Sequence, residues 1–286
     1  MTDKKKWEIA VKSVRGNSHI RNNLPNQDAF LHSDININPH TVILAISDGH
    51  GSSNSFRSNT GSEIAVELAV EFLRDIGNIT SIDDISTVKH WAEEKLPSKL
   101  VKKWREKIDE HYNQNPVTQE EKIKLSDERG EGALEKLTGN PYIIYGATLL
   151  SVLITEYFIL YMQLGDGDIL CVNDDGETFR PIPKDSRLIA NETTSLCSKD
   201  AWKEFYIRFQ TVVSQPPRLI IVSTDGYSNS YANDNDFAKI GTDYLEILRH
   251  EGTNYVDDNL EAWLNDVSKN GSGDDITAGL IFNNCP

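Results

Sequence analysis

Cysteine is scarce in this 286-residue chain: three in all, at Cys171, Cys197 and Cys285, far apart. That excludes a disulfide framework and a C-x-x-C metal motif, and it fits a reducing, cytoplasmic setting. Long apolar runs are missing too, so no membrane span is expected. The opening stretch, Met1-Thr2-Asp3-Lys4-Lys5-Lys6-Trp7, leads into no apolar segment, which argues against a secretion signal. Basic residues are outnumbered, with 29 Lys plus Arg against 44 Asp plus Glu and a net charge of −15. Without a strong basic cluster, nucleic acid and anionic membrane are poor partners. There is no internal repeat and no low-complexity tract.

What is present is an ordinary globular composition, 38% hydrophobic and 26% charged, in a chain long enough to bury a sizeable core. Residues 7–14, 28–31 and 41–47 read as strands, and 15–27 as a loop. A helix is expected from about Thr60, where Thr60 and Glu63 have capping-box spacing. Ile64, Leu68, Phe72 and Ile76 then recur every four residues as one apolar stripe. A second helical region runs over 86–112, divided near Pro97, and its tryptophans Trp91 and Trp104 suit packing. Residues 113–140 look like a connection with one short helix. Beyond them, 142–155 and 157–164 read as a hairpin, 169–172 as a further strand, and Asn173-Asp174-Asp175-Gly176 as a turn. Strands at 205–213 and 218–224, helices at 235–250 and 253–269, and a strand at 276–282 complete the pattern. Hairpin-linked strands and grouped helices argue α+β architecture with mainly antiparallel sheets.

Several aspartates share one placement. Asp48, Asp166, Asp225 and the Asp274-Asp275 pair each stand at the edge of an apolar strand and beside a glycine. A lone Asp-Gly is usually just a turn. Four in matching contexts are better explained by strand ends that deliver carboxylates to one rim, where a divalent cation relieves their repulsion. Hard oxygen ligands select Mg²⁺ or Mn²⁺ over zinc.

The ordered motifs resemble the metal-dependent phosphatases of the protein phosphatase 2C family. They are Asn26-Gln27-Asp28-Ala29-Phe30, Asp48-Gly49-His50-Gly51, Gly146-Ala147-Thr148-Leu149, Gly165-Asp166-Gly167, Ser223-Thr224-Asp225-Gly226 and Gly273-Asp274-Asp275-Ile276-Thr277. The resemblance implies a four-layer α/β/β/α sandwich in a single domain over 7–283, with a helical insertion at about 83–140 and a flap at about 182–204. It implies hydrolysis of phosphoserine and phosphothreonine with two Mg²⁺ or Mn²⁺ ions. Asp48 would bridge the ions and the Gly49 carbonyl would bind one of them. Asp225 and Asp274 would hold the same metal as each other, Asp166 with Asp225 would hold a third, weaker one, and Asp28 would orient the attacking water. His50 would be the general acid.

Three departures stand out. Gln27 replaces the family's usual Glu, Asn23 stands at the usual phosphate-binding Arg, and Asp275 falls where the family usually has Asn. Arg21 is the first substitute for the missing arginine, with His19 and Arg15 as alternatives. Gly167-Asp168 also replaces the more usual Ser-Arg. No C-x5-R run is present, which argues against cysteine-based phosphatase chemistry. The expected partner is a phosphorylated protein, within a serine/threonine kinase system, acted on by a monomer. Two other readings stay open: a binding module without turnover, and a hydrolase of a small phosphorylated metabolite.

Overall fold

A computed structural model describes residues 7–33, 41–78, 85–130, 132–185, 187, 193–212 and 216–284. Cys285, residues 83–84 and 131 of the expected insertion, and 186 and 188–192 of the expected flap lie outside the described residues.

Two five-stranded sheets form the centre. One has the order β1-β10-β9-β6-β7, built from β1 (Trp7–Val14), β6 (Asp168–Val172), β7 (Thr178–Phe179), β9 (Leu219–Ser223) and β10 (Ile276–Asn283). The other has the order β2-β3-β4-β5-β8, from β2 (Ala29–His32), β3 (Val42–Ser47), β4 (Leu149–Ile154), β5 (Phe158–Leu164) and β8 (Tyr206–Thr211). Every pairing among the described strands is antiparallel.

The side chains of β3 show how the layers arise. Val42, Leu44 and Ile46 point between the sheets, against Leu150, Val152, Ile220, Val222 and Ile281. Ile43 and Ala45 point the other way, toward the helix stripe of Ala65, Leu68, Ala69 and Leu73. That stripe belongs to α2 (Ser58–Gly77). On the opposite sheet, Leu219, Ile221 and Leu280 pack against Phe237, Leu245, Leu260 and Leu264, from α8 (Asp234–Glu251) and α9 (Thr253–Asn270). Three apolar layers therefore separate four layers of secondary structure, α/β/β/α, as expected. Both sheets are covered on both faces, so the central strands carry near-continuous apolar runs instead of alternating ones.

The helices depart from expectation in instructive ways. The loop expected at 15–27 contains α1 (Asn17–Arg21). Thr60 and Glu63 do not cap α2, because that helix begins at Ser58 with Arg57 before it and no side-chain cap. Its start is fixed by tertiary contact: the Arg57 N–H donates to the Ile144 carbonyl at 2.8 Å, and the Arg57 guanidinium reaches Tyr145 and Glu121. The division at Pro97 is present, between α3 (Ile85–Glu94) and α4 (Leu96–Gln114), with the proline in the first turn where no N–H is needed. The connection at 113–140 holds two helices, α5 (Gln119–Arg129) and α6 (Gly132–Gly139). The capping box is here, between Thr118 and Glu121. Residues 141–145 form a 3₁₀ turn, so β4 starts later than expected. A short α7 (Asp225–Ser228) follows β9. Among the described residues no helix is long and apolar enough to cross a membrane.

Trp104 joins α4 to α2. It is fully buried, and its indole N–H donates to the Gly61 carbonyl at 3.0 Å. Trp104→Ala is expected to lower stability by about 3–5 kcal/mol through the cavity it leaves and the carbonyl it orphans. Trp202, 45% exposed, should tolerate alanine within about 0.5 kcal/mol. Urea denaturation of both variants checks the contrast.

Candidate active site

β3, β5 and β9 end, and β2 and β10 begin, at one rim of the sandwich. The rim therefore receives Asp48, Asp166, Asp225, Asp28 and the Asp274-Asp275 pair. Asp48, Asp166, Asp225 and Asp274 line one cleft of about 1190 Å³, together with His19 and His50. Asp28 lies close enough to raise the pKa of Asp48 through its charge.

Each acid is held from behind. The Asp48 N–H donates to Thr148 Oγ1 at 3.0 Å, and the Thr148 N–H donates back to the Asp48 carbonyl at 2.8 Å. The His50 N–H donates to the Gly146 carbonyl at 3.0 Å. The two motifs Asp48-Gly49-His50 and Gly146-Ala147-Thr148 thus run antiparallel past the end of β3. Gly49 must lack a side chain, since a methyl group there would sit 2.5 Å from the Gln27 carbonyl oxygen. Asp28 Oδ2 accepts from Thr224 Oγ1 at 2.9 Å and Thr277 Oγ1 at 2.8 Å, which ties β2 to the other sheet. Asn229 Nδ2 donates to Asp225 Oδ2 at 2.9 Å, and Thr193 Oγ1 donates to Asp166 Oδ1 at 2.9 Å. Asp166 sits where the chain leaves one sheet for the other. The turn needs φ +111° at Gly165, a conformation that side chains oppose.

Gathering these charges has an electrostatic cost. Burial, then the charges of Asp28 and Asp225, pushes the Asp48 pKa well above the carboxylate range. Asp28 is likewise raised, by burial and then Asp275. Asp225 is raised to about 6 by burial and then Asp166, and Asp274 is raised mainly by burial. Asp48 and Asp225 lie within hydrogen-bonding reach of each other, so a proton relieves part of the repulsion. Burial lowers the His50 pKa more than the Asp166 charge raises it.

An all-carboxylate set, with no thiol among it, has the donor chemistry of a hard divalent cation. The Gly49 carbonyl accepts no hydrogen bond among the described residues, so its lone pairs are uncommitted. Among the described residues no three acid, imidazole or thiol groups already close around a common point. The chemistry of the donors fits an ion, and the side chains must turn to grip one.

Arg21 is exposed at the end of α1 and does not line the cleft. Arg15 donates to the His19 carbonyl at 3.2 Å and does not line it either. Asn23 has φ +54° in the loop after α1. Gln27 is 4% exposed, and its Oε1 has no partner. Asp168 is buried and paired with Arg180 at 2.8 Å. Sequence reasoning missed the threonine anchors Thr148, Thr224 and Thr277. They stood inside the quoted motifs, but spacing does not reveal a hydroxyl's partner. It also missed that Asp275 is a buried acceptor bonded to His19.

The architecture is thus a two-sheet sandwich with helices outside and an acidic cleft at the strand ends. Residues 15–265 match the family model described as protein phosphatase 2C. The chain belongs to the protein phosphatase 2C family. A bacterial serine phosphatase crystal structure superposes with TM-score 0.62 at 16% identity, covering 98% of each chain. The serine/threonine phosphatase Stp1 of Staphylococcus aureus gives 0.59 at 14%, covering 96% of this chain and 94% of that one. The catalytic domain of the serine threonine protein phosphatase PstP, solved with two manganese ions, gives 0.56 at 15%, covering 96% and 97%. Comparison with curated proteins by sequence returns no match.

The raised carboxylate pKa values set a sign. A carboxyl group whose folded pKa lies above its unfolded value stabilises most below the unfolded pKa, and the stability is lost as pH rises through the folded one. For Asp225 the window runs from about 4 to about 6. In chelator, Asp225→Asn should gain stability relative to the parent across that window, by about 1–3 kcal/mol. Denaturation curves at pH 4 and pH 7 check the difference.

Proposed function

We propose that this chain is a metal-dependent serine/threonine protein phosphatase with one catalytic domain over 7–283. The observation that carries the reading is the meeting of Asp48, Asp166, Asp225 and Asp274 in one cleft beside His50. Family membership and the likeness to solved serine/threonine phosphatases support it. The manganese ions named for PstP support Mg²⁺ or Mn²⁺ as the cofactor.

Asp48, Asp225, Asp274 and the Gly49 carbonyl would hold two ions, and Asp166 with Asp225 a third. Bound there, the ions offset the charge of a phosphate monoester and activate water as the nucleophile. Asp28 would orient that water, its own direction fixed by Thr224 and Thr277 through Oδ2. His50 delivers a proton to the leaving serine or threonine oxygen. Burial lowers its pKa, so the proton is released readily once the ring carries charge. The walls that face a protein substrate include α1 on one side and Thr193 on the other. The partner is a phosphoprotein made by a serine/threonine kinase, in a cytoplasmic setting that suits the free thiols of Cys171 and Cys197.

With Mn²⁺, the protein should release phosphate from phosphoserine and phosphothreonine peptides in preference to phosphorylated metabolites. Asp48→Asn should reduce this to background. Full turnover in excess chelator, or no turnover with Mn²⁺ demonstrably bound, would contradict the reading. His50→Gln should lower kcat by about 10²-fold on phosphopeptides. It should lower kcat far less on an aryl phosphate, whose leaving group needs no proton. Parallel steady-state assays on the two substrates test this.

A further inference from the structure

A cleft built for a phosphate dianion should offer a cation from the protein itself. Among the described residues that line this one there is neither lysine nor arginine. Four of the lining side chains are aspartates, and the groups able to carry positive charge are His19 and His50. His50 is held through its backbone N–H by the Gly146 carbonyl, whereas His19 is held through its ring.

The His19 ring is anchored by a buried carboxylate. Its Nδ1 lies 2.8 Å from Asp275 Oδ2. Asp275 is 4% exposed and is itself fixed by two backbone donors, Gly16 N–H to Oδ1 at 2.6 Å and Gln27 N–H to Oδ2 at 2.7 Å. A buried carboxylate needs hydrogen-bond partners, and the His19 ring supplies one beside these two backbone N–H groups. With Nδ1 committed to Asp275, Nε2 is the atom left for the cleft. It stands 3.9 Å from Asp274 Oδ1.

A second observation marks the same place. The Gly51 α-carbon is bare, and a methyl group there would lie 3.4 Å from His19 Nε2 and 3.6 Å from Gln27 Oε1. Gln27 is buried, and its Oε1 has no hydrogen-bond partner. A niche at Gly51 is therefore bounded by one imidazole nitrogen and one unpartnered amide oxygen.

We propose that His19, oriented by Asp275, is the residue that contacts the substrate phosphate in this cleft, and that Asp275 is its positioning residue. This rests on the phosphatase reading above. The pair takes over a task that the family resemblance gives to an arginine at the position of Asn23. It also gives the carboxylate at 275 a role: its Oδ2 takes the Nδ1 contact and leaves Nε2 for the cleft. A histidine reaches less far than an arginine and binds through one N–H instead of a fork. It therefore suits a phosphate seated close to the metal carboxylates.

The test uses the full chain with Mn²⁺, a phosphopeptide, and inorganic phosphate as the probe of the site. His19→Gln should raise KM and weaken inhibition by inorganic phosphate by about 10–100-fold, the loss expected of a hydrogen bond to a charged group, with a smaller change in kcat. His19→Arg should restore phosphate inhibition to within about threefold of the parent by supplying charge-assisted bonds. Asp275→Asn should weaken phosphate inhibition in the same direction and by less, since Nδ1 keeps an acceptor. Mn²⁺ affinity by calorimetry should stay within about threefold in all three, because none donates to the ions. Unchanged phosphate inhibition in His19→Gln would overturn the assignment. So would a loss of Mn²⁺ affinity as large as the loss of phosphate inhibition. Should His19→Gln not fold, Asp275→Asn with unchanged phosphate inhibition overturns it equally. An inactive parent chain would instead count against the phosphatase reading, and phosphate binding to it by calorimetry would still test His19.

Discussion

Mutual repulsion among carboxylates at one rim is the constraint on which the rest of this molecule turns. Asp28, Asp48, Asp166, Asp225 and Asp274 are brought together by strands from both sheets. The consequence is written in the pKa values of Asp28, Asp48, Asp225 and Asp274, which rise through burial and through neighbouring carboxylates. Folding tolerates this because each strand behind the rim is sealed into two apolar layers. The sandwich supplies the stability that the rim consumes, and the rim keeps an unmet demand for positive charge.

The anchors decide what that demand can accept. Thr193, Thr224, Thr277 and Asn229 donate to the carboxylates and Thr148 Oγ1 accepts from the Asp48 N–H; all are neutral, and they fix direction without cancelling charge. Where a carboxylate is paired with a basic side chain, Asp275 with His19 and Asp168 with Arg180, it is buried behind the cleft and not open to it. The molecule thus separates two uses of aspartate. One set is neutralised internally and gives structure, and the other is left short of cations.

Much of this was legible in the chain. β3, β9 and β10 announce themselves as apolar β-branched runs, and α2, α8 and α9 as stripes of period near four. Less legible was which sheet a strand joins. β5 and β6 are separated by three residues yet lie in different sheets, and so do β8 and β9. Strands buried on both faces lose the alternation that would reveal a partner. The start of α2 was misplaced because it depends on Ile144 and Tyr145, some 85 residues away. Helices α5 and α6 were underestimated because their polar faces mask a short apolar edge. At the site, the acids could be read from strand-end placement. Their threonine partners Thr148, Thr224 and Thr277 and the His19–Asp275 pair could not, since contacts across 100 to 256 residues leave no local pattern.

The central claim is that these acids share a pocket in order to hold hard divalent ions. It is tested most directly by anomalous diffraction at the manganese edge from crystals soaked in Mn²⁺. The account predicts at least two peaks in the cleft, each about 2.1–2.3 Å from carboxylate oxygens drawn from Asp48, Asp225 and Asp274. Peaks confined to surface aspartates elsewhere, with the cleft carboxylates still bonded to each other, would contradict it.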